Sequence, residues 1–218
     1  MTNKQFIVKA ITKNHSGKME GMTSLSVACT KCPLCIKAHN TKDNSNICKH
    51  CYSFRMLQRY KTLREKLEKN YDFFTTVELN KNDIPFINAS MFRFEAFGDI
   101  SNELQFKNYV LIAEHNPWTT FTLWTKRPQI LDNAFNKYGI NKPSNLIIIY
   151  SEPIIDRRYT SADFKTLKNK YTFIDKVFTV HSKNGINDTF INCGAKKCAE
   201  CKLCYTHNKV TVINERLK

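Results

Sequence analysis

Nine cysteines stand in two clumps: Cys29, Cys32, Cys35, Cys48 and Cys51 near the start, and Cys193, Cys198, Cys201 and Cys204 near the end. Residues 52–192 contain none. Repeated i, i+3 spacing of this kind is how a chain folds around a metal or an iron–sulfur cluster. The opening MTNKQFIVKAITKNHSGK lacks an apolar run followed by a small-residue cleavage site. Nowhere do eighteen apolar residues run together, so no membrane span is expected. A soluble cytoplasmic protein is the expectation. In that reducing compartment nine thiols, an odd number, read as ligands and not as disulfides.

Thiolates take soft or borderline metals, which leaves zinc and iron–sulfur clusters. Cys29/Cys32 or Cys32/Cys35, paired with Cys48/Cys51, would make a four-cysteine zinc site, with one thiol over. The second segment reads C-x4-C-x2-C-x2-C. Four cysteines so close together can wrap a [4Fe–4S] cluster, and such crowding is less common for zinc. One cluster or two, or zinc, all remain open on spacing.

Between the clumps the pattern is strand–helix alternation. After a short strand over Phe6 to Ile11 and the loop-like segment 29–51, Tyr52 to Leu79 carries apolar residues at helical steps. Its other face is basic, with Arg55, Arg59, Lys61, Arg64, Lys66 and Lys69. Strands are expected at Ala89–Ala96, Thr119–Thr125, Asn145–Ser151 and Lys176–His181, with a short last one at Lys209–Ile213. Helices are expected from a Ser101 cap to His115, from Pro128 to Tyr138, and over Ala162–Lys170. Residues 1–218 read as a single α/β domain: an N-terminal cysteine segment at 29–51, a β/α core at 86–182 and a C-terminal cysteine segment at 193–204. Alternation of this kind argues a parallel sheet with helical crossovers. Such folds place their chemistry at the carboxyl ends of the strands.

The polar residues at those ends are Glu95 and Asp99, then Lys126 and Arg127, then Glu152, then His181 and Lys183. Asp99 can cap a helix and Glu95 can form an ion pair; equally, either can serve a reaction. Lys126 and Arg127 suit a carboxylate or phosphate, or simply a surface turn. His181 reads as a core histidine, and Trp118 and Trp124 as packing. Thirty-four Lys and Arg against nineteen Asp and Glu leave a net charge of +15. That balance suits a nucleic acid or a phosphorylated substrate, or a Lys-rich solvated surface. Nucleotide-binding glycine loops, HExxH and GxSxG are absent.

Cys48-Lys49-His50-Cys51-Tyr52, C-x-x-C-Y, resembles the end of the cluster-binding loop of radical S-adenosylmethionine (SAM) enzymes. The C-x3-C-x2-C spacing of those enzymes is absent, so a longer insertion separates the first ligand from Cys48. A wider resemblance covers most of the chain. Ser16-Gly17-Lys18-Met19, Ser24-Leu25-Ser26 leading to Cys29, C-x-x-C-Y, Arg93 with Gly98-Asp99, and Phe121 to Lys126 (F-x-x-W-T-K) occur in that order before the cysteine-dense end. Together they resemble the phage "gene product eighty-eight" family, which is similar to radical-SAM-like iron–sulfur proteins. The resemblance implies a partial parallel (β/α) barrel of radical-SAM-like type with cysteine-rich metal-binding segments near both ends. It implies that Cys48 and Cys51, with Cys29, Cys32 or Cys35, ligate a [4Fe–4S] cluster, and that the second segment holds an auxiliary one. It also places Glu95 and Asp99 where such barrels hold the SAM ammonium. Arg93 and Tyr52 join them as cofactor-binding residues, and Lys126 joins Glu95 and Asp99 as a catalytic one. The expectation is therefore an iron–sulfur enzyme acting on a nucleic acid or nucleotide in the cytoplasm of a phage host. The alternative is a non-enzymatic zinc or iron–sulfur protein that binds nucleic acid or a host factor.

Overall fold

The computed structural model describes residues 1–194 and 196–217. Its centre is a seven-stranded sheet in sequence order: β1 (Thr12–Lys13), β2 (Thr23–Leu25), β3 (Met91–Phe94), β4 (Thr120–Thr125), β5 (Leu146–Ser151), β6 (Lys176–His181) and β7 (Val212–Arg216). The β1/β2 pair is antiparallel and every other pair is parallel. The helices are α1 (Asn3–Ala10), α2 (Pro33–His39), α3 (Tyr52–Arg59), α4 (Lys61–Thr76), α5 (Glu103–His115), α6 (Pro128–Tyr138), α7 (Ser161–Lys170) and α8 (Cys198–Cys201). The strand order never reverses, so the fold has no switch point of the doubly wound kind. The pairings run from β1 to β7 without joining the two ends. What stands is a mostly parallel α/β sheet.

Side-chain alternation separates two faces. Phe92 and Phe94, Phe121 and Leu123, and Leu146 and Ile148 join Phe106, Tyr109, Ile130 and Leu131 in the main core under α5 and α6. The alternate residues Trp124, Ile147 and Ile149 face the other way. They pack with Ile213, Cys204 and Tyr205, so the C-terminal cysteine segment covers this second face. Strand β5 is thus buried on both faces, which explains its unbroken apolar run.

Local chemistry accounts for the helix ends. Asn102 caps α5 through its side chain on the Gln105 N–H (2.9 Å), in place of the expected Ser101. Helix α6 starts on Pro128 and stops at Gly139, whose φ is +60°. Three further expectations are corrected. The segment expected as a strand over Phe6–Ile11 is helical through Ala10, with Ile11 its extended cap, because Thr2 and Gln5 form a reciprocal capping box that outweighs the β-branched residues. The helix expected over Tyr52–Leu79 breaks at Tyr60, whose φ of −111° and ψ of 94° are extended, and it ends at Thr76. The last strand lies at Val212–Arg216, beyond the expected Lys209 start.

Candidate metal centre

Five thiols converge at the carboxyl end of the sheet. Cys29 and Cys48 open two short turns of the same form: the Cys32 N–H donates to the Cys29 carbonyl (3.0 Å), and the Cys51 N–H to the Cys48 carbonyl (3.2 Å). Asn46 fixes the second turn by accepting from the Cys48 N–H (2.9 Å). Pro33 starts α2, which carries Cys35. The loop is sewn to the chain beyond β5 by Ile47 N–H to the Pro153 carbonyl (2.8 Å) and Ile155 N–H to the Ser45 carbonyl (2.7 Å). The Tyr52 hydroxyl donates to the Ala96 carbonyl beyond β3 (2.9 Å). Cys29, Cys32, Cys35 and Cys48 are buried, with Ala28, Ala38, Leu57 and Leu67 packed around them.

Cys35 is the hub of this group. Its thiol interacts electrostatically with Cys32, Cys48 and Cys51, and that of Cys29 with Cys51. Those partners, and then burial, push the Cys29 and Cys35 thiols well above the usual range. The same neighbours, Cys35 for Cys32 and Cys48 and Cys29 then Cys35 for Cys51, push those three thiols down. Lys126, just past β4, is the cation of the group. Burial would lower its pKa, but Cys48, Asp99, Cys35 and Cys51 outweigh that and raise it.

The expected acidic residues lie beside the thiols but are already engaged. Asp99 accepts from the Ile100 N–H (2.8 Å) and the Lys126 N–H (3.0 Å), which ties the end of β3 to the end of β4. Glu95 turns towards α5. It accepts from the Tyr109 hydroxyl, from Gln105 Nε2 (2.8 Å) and from the Val27 N–H (3.2 Å). Its φ is +57°, a conformation rarely adopted by a side-chain-bearing residue. Burial pushes its carboxyl up to about 8. Gly98 has a steric reason: a Cβ there would meet Glu95 Oε2 and the Val27 carbonyl at 2.6 Å. Arg127 is pinned to the Ile100 and Ser101 carbonyls (3.0 and 3.3 Å). Glu152 accepts from the Ile154 N–H and the Tyr159 hydroxyl of its own turn. His181 is fully buried and contacts Thr179.

The second group sits under the other sheet face. Cys193, Cys198, Cys201 and Cys204 influence one another electrostatically. Burial raises Cys193 and Cys198, and pushes Cys204 up to about 12. The Ser16-Gly17-Lys18-Met19 turn reaches this group: Lys18 Nζ stands 3.3 Å from Cys193 Sγ and pairs with Glu215. Arg93 stacks on Trp124 at 3.9 Å and acts electrostatically on Cys198 and Cys204. Among the described residues its buried Nε has no hydrogen-bond partner. Arg93 and Tyr52 therefore lie apart, Arg93 with the second group and Tyr52 with the first.

All nine cysteines are free. Among the described residues, no group of three or more His, Cys, Asp or Glu side chains has a geometry that could hold a metal ion. By residue type alone the donors are of the soft kind that thiolate-bound metals take: four buried thiols and the half-buried Cys51 in the first group, and four thiols beside Lys18 and Arg93 in the second. The sequence reading missed Lys18 in this role, and also Gln105 and Tyr109, the partners of Glu95. The one available signal was a polar Gln105 within the apolar face of α5.

The model of the family described as Gene product 88 matches residues 2–213. The chain belongs to the Gene product 88 family. Comparison with the curated proteins and with the solved structures gives no match. Within this family member, no helix among the described residues is long and apolar enough to cross a membrane.

Proposed function

We propose that this Gene product 88 protein is an iron–sulfur protein of radical-SAM-like, partial (β/α) barrel architecture. In this reading it binds a [4Fe–4S] cluster at the first thiol group and acts on a nucleic acid or nucleotide. The observation that carries the reading is the convergence of Cys29, Cys32, Cys35, Cys48 and Cys51 on the carboxyl ends of β3 and β4, beside Lys126. A sheet wound in one direction with thiols at that end is the arrangement the family resemblance leads one to expect. A cluster bound there supplies one-electron chemistry. The chain's own residues do the rest. Lys126 balances thiolate charge, Asp99 fixes the Lys126 backbone, and Leu57, Leu67 and Ala38 keep water from the sulfurs. In the same reading Cys193, Cys198, Cys201 and Cys204 hold an auxiliary cluster beside Arg93 and Lys18.

One observation favours a second reading. Glu95 and Asp99, the expected partners of the SAM ammonium, spend their oxygens on internal donors. Closed clusters or zinc would then serve folding alone, and the basic surface would bind nucleic acid or a host factor. An EPR spectrum of the anaerobically purified, reduced protein, with and without SAM, decides between them. A cluster signal perturbed by SAM supports an open iron and the enzymatic reading. A cluster signal indifferent to SAM, or a colourless zinc protein, supports the second.

A further inference from the structure

The positive charge of the chain is concentrated on the segment that carries the first thiol group. Residues 29–69 hold ten Lys and Arg against three Asp and Glu, so +7 of the +15 lies on 41 residues. Among the described residues, the ion pairs within this segment reduce to Lys61–Glu65 at 3.7 Å. Among the described residues, none of the other cations of this segment lies within ion-pair distance of a carboxylate.

Helix α3 orders part of that charge. Tyr52, Arg55 and Arg59 are exposed at i, i+3 and i+7, which puts them on one face. Tyr60 follows at the break, 49% exposed, with the Arg59 guanidinium 5.6 Å from its ring centre. Tyr52 is 53% exposed at the other end of the stripe. It follows Cys51, and its hydroxyl is fixed to the Ala96 carbonyl in the loop that carries Asp99. The stripe therefore starts at the thiol group and runs away from it, with aromatic rings at both ends and, between them, two guanidinium groups that have no carboxylate partner among the described residues.

Positive side chains that track a backbone, alternating with exposed rings on which bases stack, are the means by which proteins bind single-stranded nucleic acid. A duplex hides its base faces, and rings such as Tyr60 would add nothing for it. We infer that the exposed face of α3, from Tyr52 to Tyr60, binds a single-stranded nucleic acid and leads it to the first thiol group. The inference rests on the proposed nucleic-acid substrate and adds the surface and the form of the strand.

The test is fluorescence anisotropy with a labelled oligothymidylate and with a duplex, across a salt series, on the full chain. The double variant Arg55→Glu/Arg59→Glu is compared with Lys165→Glu/Lys170→Glu on the exposed face of α7. Both change the net charge equally, so a difference between them is local. The α3 variant should weaken single-strand binding at least about 10-fold more than the α7 variant, with a shallower salt dependence. Tyr60→Ala should lose about fivefold on the single strand and little on the duplex. Equal losses from the α3 and α7 variants would overturn the inference. So would a preference for duplex with Tyr60→Ala silent. Iron content is measured on the same samples. Normal iron without single-strand binding sinks this inference alone, whereas binding without iron sinks the cluster reading alone.

Discussion

The two thiol groups are built on opposite principles. The first lies at the mouth of the sheet, where α2, α3 and α4 close an apolar shell around it and backbone hydrogen bonds tie its loop to the chain beyond β5. The second lies under the sheet on a helix of four residues, α8, which ends at Lys202 with φ of +53°. Cys201 there is exposed, and Cys193 and Cys198 are only half-buried. Its partners are the Lys18 and Arg93 cations, from segments far away in sequence. Packing can hold the first group in shape without metal. The second is held onto the sheet by a smaller apolar contact, Cys204 and Tyr205 with Ala199 and Leu203 against Trp124 and Ile213, together with its cations, and local stability follows buried contacts.

The contrast can be broken most sharply by removing metal. On the proposed reading that both groups bind metal, a chelator strong enough to strip them should open the Cys198–Tyr205 segment to proteolysis long before residues 29–51, because bound metal is folding free energy where packing is thinner. Mass spectrometry of the first cleavage products checks this. Early cuts within 29–51 would reverse the account of the two regions.

Backbone packing at the first group is tested next. Gly98→Ala would press a methyl group against Glu95 Oε2 and the Val27 carbonyl, and the backbone atom cannot swing away. The expected cost is about 2 kcal/mol in a denaturant titration, within the range of overpacked sites. Gly139→Ala serves as a comparison, since it meets nothing within 4 Å and carries only the strain of its positive φ.

A smaller effect comes from pH. Burial holds the Glu95 carboxyl at about 8 in the fold, against 4.5 for the free group. The folded carboxyl keeps its proton while the unfolded one gives it up. Its contribution to stability is thus complete below about 4.5 and is lost as pH rises through about 8. Denaturant midpoints should fall across that window in the wild type, and Glu95→Gln should flatten the fall. An unchanged slope in the variant would mean that Glu95 is ionised in the fold.

Much of the sheet was legible because its signals are local. Asn145–Ser151 reads as a doubly buried strand, and the structure gives Leu146–Ser151. Pro128 and Gly139 bracket α6. The thiol segments were legible as clumps through spacing alone. What escaped depends on partners distant in sequence. Helix α2 looks like a loop in composition, and only its contacts with the thiol shell make it worth forming. Arg93 reads as a strand-end motif, but its side chain lies on the face opposite the main core, against Trp124 and the C-terminal cysteines. Tyr60 broke a periodicity that the apolar spacing alone would have carried through. The fate of Glu95 was set by Tyr109 and Gln105, fourteen and ten residues on, on the next helix.

The central claim is that the two thiol groups are separate centres and that the first holds a [4Fe–4S] cluster. Iron, sulfide and zinc should be quantified in anaerobically purified wild type, in Cys35→Ser, and in Cys198→Ser/Cys201→Ser. The account predicts that the second variant keeps about four irons and four sulfides, while Cys35→Ser loses that set and retains whatever the second group binds. A colourless wild type loaded with zinc, or a first-group cluster that vanishes with Cys198 and Cys201, would contradict it.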